Sequence, residues 1–369
     1  MAMISIAISF LVIILAVTIS GGFRKEIRSG IADIAGDIQV SWPEVGALAS
    51  DNPLNLSQPN LAGLDSIPGV AMVRPAVYRG GIVKGEKEIS GVIFKGAAGS
   101  GLDSLRVKIP ATLARQAGLA PGDKMTAYFV GEKVRARRFI VDSIYEGVLS
   151  GSDNLVVLTG LEDLQRVCGW EPEEVSALEL VLTPQGRESM EQIAQISGGK
   201  ILSRTPEDAS APMAVSALSR YPQIFSWLDL IDFNVAVILI LMTIVAGFNM
   251  ISGLLILLFR NISTIGTLKS LGMTDRSISE LFLRVASRLV LTGMAIGNGL
   301  ALLFCLVQGT THVLRLNPEN YFLSYVPVNV NPLMILGADA VAYLAIMVLL
   351  TIPCLFIARV DPARTVRVG

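Results

Sequence analysis

The sequence predicts an α+β membrane protein: four membrane-spanning helices, with one large folded domain inserted between the first and the second. Three observations carry this. Of 369 residues, 52% are hydrophobic and 17% charged, with a mean hydropathy of +0.58, too apolar for a water-soluble chain of this length. Four stretches, Ala2–Ser20, Val235–Phe259, Val285–Val307 and Leu333–Ala358, reach the roughly 20 apolar residues that cross a hydrocarbon core. Between the first two, short apolar runs alternate with Gly, Pro and Asn punctuation over about 200 residues, enough for a core of its own.

The expected organisation is a first membrane helix over 1–21, an inserted α+β domain over 22–232, a second membrane helix over 233–259, a polar loop with a short helix over 260–280, a third membrane helix over 281–307, a loop over 308–332, a fourth membrane helix over 333–358 and a tail over 359–369. The first run competes with a cleaved signal peptide, but it lacks a charged leader and a small-x-small cleavage site, so it reads as an anchor. Orientation follows the basic residues of short loops. Arg260, Lys269 and Arg276 lie between the second and third spans, with Arg284 and Arg288 near the start of the third; Arg359, Arg364 and Arg367 follow the fourth. Those segments are expected in the cytoplasm and residues of about 22–232 outside, with Arg24, Lys25 and Arg28 as exceptions to the rule.

Along the inserted domain, the first span continues as a helix through FRKEIRSGIADI, and Asp37–Trp42 alternates as a strand. Asp51–Asn60 reads as loop and Leu61–Ile67 as a short helix. Val70–Val77, Gly80–Val83 and Glu88–Phe94 read as strands separated by glycine turns. Gly96–Gly101 is glycine-rich but is followed by no Lys-Ser/Thr opening a helix, so it is a turn and not a phosphate cradle. A short helix around Leu113–Ala117, a turn at Pro121-Gly122-Asp123 and a strand over Met125–Val130 follow. Arg135–Tyr145 alternates as a strand whose Arg135, Arg137 and Arg138 read as a solvated face, with a partner-binding patch as the alternative. Leu155–Leu158 and Leu178–Leu182 are strands; Leu161–Val167 and Met190–Ile196 are helices. Ser219–Phe233 suits an amphipathic helix at the interface, with Tyr221, Phe225, Trp227 and Leu228 on one side and Asp229 and Asp232 on the wet side.

The net charge of −1 excludes a nucleic-acid surface, which needs a basic field. Cys168, Cys305 and Cys354 form no CxxC pattern, and His312 is the single histidine, so neither a metal site nor a disulfide framework is expected. No P-loop, GxSxG or HExxH occurs, so no catalytic residues are expected. In the membrane, Gly247, Phe248, Asn249, Ser252 and Gly253 of the second span, and Gly293, Gly297, Asn298 and Gly299 of the third, allow close helix approach and interhelical hydrogen bonds. No charged residue lies mid-span before Asp339, so no relay of ionisable groups is expected, and Pro353 should bend the fourth span. After Arg260, Ser263 or Thr264 can cap a short helix with Ile265, Leu268 and Leu271 on one face and Gly272 at its end; Asp275 or Ser277 starts the next helix. Such a helix lies on lipid or docks in a partner's groove.

FNMISGLLILLFRNISTIGTLKSLGM, from Phe248, resembles the C-terminal half of permeases of the MacB/FtsX superfamily of ABC transporters, and among them the lipoprotein-releasing (Lol-type, LolC/LolE-like) permeases. GGFRKEIRSGIADIAGDIQV, LARQAGLAPGDKMTAYF, RRFIVDSIYEGVLSGSDN, YPQIFSWLDLIDFNVAVILILM and LNPENYFLSYVPVNVNP extend the likeness over nearly the whole chain. The resemblance implies an inner-membrane subunit with a MacB-like periplasmic domain and an FtsX-like permease domain over 233–369. It implies a separate LolD-like ABC ATPase, which binds ATP and magnesium while this chain holds no cofactor, and a second copy or a sister permease. It further implies a lipoprotein substrate, a periplasmic carrier and membrane lipids. The coupling helix to the ATPase maps onto Thr264, Ile265, Gly266, Thr267, Leu268, Lys269, Ser270, Leu271, Gly272 and Met273; Phe248, Asn249, Ser252, Gly253, Gly293, Gly297 and Asn298 would line or brace a lipid cavity or helix interface. Such families carry a cytoplasmic segment before the first span, so a truncated or misassigned start is expected here. Efflux by a MacB-like permease and an FtsX-like scaffold controlling cell-wall hydrolases are the competing expectations; a fused ATPase, usual for the former, is missing, and the domain is large for the latter.

Overall fold

The computed structural model describes residues 2–43, 52–85, 89–99, 101–129, 134–146, 155–317, 321 and 323–354. The chain forms two compact units: Glu26–Ser226 with Arg315–Tyr325, and Met1–Lys25 with Trp227–Leu314 and Val326–Gly369. The expected tail over 359–369 lies outside the described residues.

Helix α1 (Ala2–Ala35) is continuous and ends at Gly36, whose φ of +73° is the left-handed stop that glycine tolerates. In the first unit it leads to β1 (Ile38–Ser41), β2 (Leu54–Asn55), β3 (Val70–Lys84), β4 (Ile89–Ala97), β5 (Arg106–Pro110), α2 (Ala111–Ala117), β6 (Lys124–Phe129), β7 (Arg135–Tyr145), β8 (Val156–Gly160), α3 (Leu161–Cys168), β9 (Glu174–Val175), β10 (Ala177–Leu182), α4 (Met190–Ser203), β11 (Met213–Ser216) and α5 (Ala217–Arg220). Nine strands form one sheet in the order β11-β1-β10-β3-β4-β8-β5-β7-β6, and β6 also pairs back to β3. The long β3 makes this possible. Its first half pairs with β10, and near its end Ile82 and Val83 face Tyr128 and Ala127 of β6. Six strands thereby close on themselves, which removes two free sheet edges. Phe94, Phe129 and Phe139 fill the interior, with ring centroids 4.8, 5.6 and 6.4 Å apart. Each ring is almost fully buried, worth about 1.5–3 kcal/mol by removal from water.

The strands expected at Val70–Val77 and Gly80–Val83 are one strand: Gly80-Gly81 lies inside β3, not in a turn. A Cβ at Gly81 would meet the Phe94 ring at 2.9 Å, so the missing side chain makes room for the aromatic cluster. The helix expected over Leu61–Ile67 is two 3-10 turns, Pro59–Leu61 and Leu64–Ser66, divided by Gly63 at φ +72°. The loop expected over Asp51–Asn60 contains β2, which pairs with β9. Helix α4 runs seven residues past Ile196, to Ser203.

Where α1 ends, the first unit buries a charged cluster. Glu179 of β10 is fully buried, 2.7 Å from the Lys95 ammonium and 2.5 Å from Arg74, and it also accepts a hydrogen bond from the Tyr78 hydroxyl. Lys95 donates to the Ile34 carbonyl at 2.5 Å, and Arg74 to those of Ala32 and Asp33 at 3.4 and 3.0 Å. Two cations thus sit on the last carbonyls of α1, where the helix dipole is negative. Burial lowers the Lys95 pKa to about 8 despite the opposing pull of Glu179, and burial and Glu179 together raise that of Tyr78.

The second unit adds α6 (Pro222–Arg260), α7 (Ile262–Ser270), α8 (Asp275–Thr311) and α9 (Pro332–Cys354). Helices α1, α6, α8 and α9 are each long and apolar enough to cross a membrane. The expected interfacial helix over Ser219–Phe233 is not separate: α5 stops at Arg220, and from Pro222 a single helix runs to Arg260. Pro222 at its first position needs no donor there and starts the helix afresh. Ile6, Phe10, Met250, Leu254, Phe282, Val290, Ile346 and Leu350 are among the buried side chains of one core shared by the four helices.

Candidate functional site

The loop between α6 and α8 is a built turn. Asn261, not Ser263 or Thr264, precedes α7; those two lie inside the helix, and the Asn261 amide donates back to the Leu257 carbonyl at 2.8 Å. Helix α7 buries Ile265 and Gly266 and half-buries Leu268 against the four-helix core. It ends in a Schellman arrangement: Met273 N donates to Leu268 O and Gly272 N to Lys269 O, both at 3.0 Å, with Gly272 at φ +92°. Leu271 is therefore the C-cap, not a third residue on the buried face. The chain reverses there, which turns its side chain outward, 78% exposed, beside exposed Met273. Thr274 caps α8 by accepting from Ser277 N at 3.3 Å, and Lys269 reaches Asp275 at 2.8 Å, tying α7 to the start of α8. Thr264, Thr267 and Ser270 are also exposed. One side of this element is thus anchored in the bundle, while its tip offers two bare apolar side chains on a fixed backbone.

The membrane residues singled out from sequence fall into different places. Gly293 and Gly297 are buried where α8 meets α1: a Cβ at Gly293 would stand 2.8 Å from Ile6 Cγ2, and one at Gly297 would run into the Ala7 carbonyl oxygen. Asn249 donates to Ser5 Oγ on α1 at 2.5 Å, and Asn298 to the Asp339 carboxylate of α9 at 2.6 Å, so both amides join helices. Phe248 is 63% exposed and Ser252 exposed on the outside of α6, while Gly253 is half-buried. Phe248 and Ser252 are therefore not brought together with Gly293 and Gly297.

Two arrangements escaped the sequence reading. Arg24 of α1 is paired with Asp232, and with Asp229 at 3.3 Å, both on α6; Ser20 Oγ also donates to Asp232 at 2.5 Å. This neutralises Arg24, one of the three basic residues on the wrong side of the loop-charge rule. The second is the Glu179 cluster, whose one trace in sequence is a single acid inside the apolar run LELVL and a single base inside VIFKGA.

The chain thus combines a four-helix apolar bundle, a folded domain inserted after its first helix, and a short anchored helix with an apolar tip between the second and third. Residues 236–362 match the FtsX-like permease C-terminal family, and the chain carries that permease domain. It is 21% identical to "Lipoprotein-releasing system transmembrane protein LolC" of Xylella fastidiosa strain 9a5c, over 99% of this chain and 92% of the relative. The protein of the same name from strain Temecula1 matches with the same identity and the same coverage. Among solved structures, the periplasmic region of MacB from Actinobacillus actinomycetemcomitans matches at 11% identity and a TM-score of 0.32, covering 54% of this chain and 97% of that one.

Proposed function

We propose that this chain is the membrane subunit of a lipoprotein-releasing ABC transporter in the inner membrane, with the β-domain in the periplasm and α7 in the cytoplasm. A separate ATPase docks on the α7 tip, pairing of two permeases forms the transport path, and ATP-driven closure lifts lipoproteins from the outer leaflet toward a periplasmic carrier bound for the outer membrane. The observation that supports this reading is the similarity to the two LolC proteins, which extends over 99% of this chain and so takes in both units. The chemistry agrees: the bundle meets lipid with apolar side chains and joins Asn298 to Asp339 internally, a surface suited to acyl chains.

The depletion experiment tests the cargo. Loss of this chain is expected to leave triacylated lipoproteins in the inner membrane; normal lipoprotein sorting with altered drug sensitivity would replace this reading by efflux. Coupling is tested at the tip. Leu271→Asp removes an exposed apolar anchor and is expected to weaken ATPase docking by about 2 kcal/mol, roughly thirty-fold in affinity, with permease-stimulated ATP hydrolysis falling in step. Leu268→Ala instead disturbs α7 packing and should lower thermal stability as well. Full stimulation in Leu271→Asp would remove the tip from the coupling path.

A further inference from the structure

At the end of the bundle that carries α7, a groove of about 620 Å³ runs along α8 from Glu280 to Ala295, with Met347 of α9 on its other side. Neither docking at the α7 tip nor the contacts between the four helices uses it. Its two ends differ in chemistry. Arg284 and Arg288 stand one helical turn apart on an exposed stripe nearest α7, while Leu291, Ala295 and Met347 line the other end. The Arg284 side chain is 80% exposed and approaches Glu280 only to 3.8 Å; among the described residues no carboxylate pairs with Arg288. The Ser287 hydroxyl lies 2.8 Å from that of Tyr343, which ties this wall of the groove to α9.

Depth decides what can meet these arginines. From Leu289 to Val307, α8 carries no charge and fills the hydrocarbon layer, so Arg284 and Arg288 lie at headgroup level. A single arginine there would only turn its head to water. Two on one turn, above an apolar trough, present paired guanidinium donors to a phosphate while the trough takes a hydrocarbon chain. The lining bears two positive charges and one negative, a balance that suits a singly charged phosphodiester.

We propose that this groove holds one acidic phospholipid of the leaflet at the α7 end, its phosphate bridged by Arg284 and Arg288 and one acyl chain lying along Leu291, Ala295 and Met347. Bound there, the lipid covers the seam between α8 and α9 beside the start of α8, the helix tied to the α7 tip.

The full chain, purified in detergent and stripped of lipid, is titrated with phosphatidylglycerol or phosphatidylcholine of equal chain length and followed by native mass spectrometry. One phosphatidylglycerol is expected to bind about ten-fold more tightly than phosphatidylcholine. Arg284→Gln with Arg288→Gln should erase that preference while leaving phosphatidylcholine binding unchanged. Ala295→Trp, at an exposed position, should weaken phosphatidylglycerol several-fold with both charges intact, and Arg260→Gln, outside the groove, should change nothing. Equal binding of the two lipids, or a preference that survives the double arginine variant, would overturn the proposal. So would displacement of the lipid by millimolar inorganic phosphate, or a cross-link at residue 291 that captures a second copy of the chain in place of lipid.

Discussion

Glu179→Gln is expected to destabilise the β-domain by about 3–5 kcal/mol, the effect of removing one partner from a buried ion pair. The reason is local. Glu179 is fully buried, the Lys95 side chain is 1% exposed, and no other carboxylate is within reach of the Lys95 ammonium among the described residues. With the negative charge gone, Lys95 and Arg74 lose their shared counter-ion, and Lys95 keeps only neutral acceptors such as the Ile34 carbonyl. In a domain of this size a loss of that order lowers the melting temperature by about 10 °C, measurable by circular dichroism on the full chain in detergent. A shift under 2 °C would show that the cluster contributes little. Replacing both charges, as in Lys95→Met with Glu179→Leu, should be milder than Glu179→Gln alone, because the fully buried ammonium goes as well and only the partly exposed Arg74, which keeps the Ala32 and Asp33 carbonyls, is left without its carboxylate.

The same cluster makes a pH prediction. The folded Lys95 pKa of about 8 lies below the unfolded value of 10.5. Below pH 8 both states hold the proton and the unfavourable burial is felt in full. Between about 8 and 10.5 the unfolded chain holds a proton that the folded chain has released, so stability rises with pH through that window. Tyr78 acts in the opposite sense above pH 10, since its raised pKa makes the folded state hold a proton that the unfolded state loses. The melting temperature of the wild type is therefore expected to gain on that of Lys95→Met between pH 8 and 9.5. A constant difference across that range would exclude Lys95 as the titrating group.

Local physics made much of this fold legible. Four apolar runs gave four helices because length and composition alone decide whether a helix can span, and the alternation of Arg135–Tyr145 gave β7 with the same ends. What was hidden depended on partners far along the chain. Gly80-Gly81 looks like a turn until Phe94 and Phe129 are brought over it. Leu271 looks like a continuation of the Ile265–Leu268 face until the left-handed Gly272 reverses the backbone and points it outward. Arg24 contradicts the loop-charge rule until Asp229 and Asp232 stand beside it, more than 200 positions away. Arg106–Ile109 alternates polar and apolar residues over only four positions, too short to stand out, and β5 is set by β7 and β8, which flank it with hydrogen-bonding edges.

Gly297→Val is expected to be the most damaging single change in the helical unit. An added Cβ there meets main-chain atoms of α1: the Ala7 carbonyl oxygen, and the Leu11 nitrogen at 3.0 Å. Backbone of a packed helix cannot step aside as a side-chain tip can, so α1 and α8 must separate along their seam. That loosens the contacts of Ile6, Phe10 and Ile13 and pulls on the link between Thr18 and Cys305, 3.4 Å apart. In lipid such contacts hold the helices together, with no hydrophobic force to replace them. Overpacking of this kind costs about 3 kcal/mol or more. Gly293→Ala meets Ile6 Cγ2 at 2.8 Å and Cβ at 3.0 Å, and the Met3 carbonyl oxygen at 3.3 Å; these contacts are looser than those at Gly297, and the cost should be smaller, about 1–2 kcal/mol. Gly299→Val, with nothing within 4 Å of the new Cβ, should be neutral and serves as the control. Thermal unfolding of the three variants in lipid nanodiscs, ranked against wild type, reads the order directly. Gly297→Val behaving like Gly299→Val would mean that α1 is not seated against α8 at this glycine.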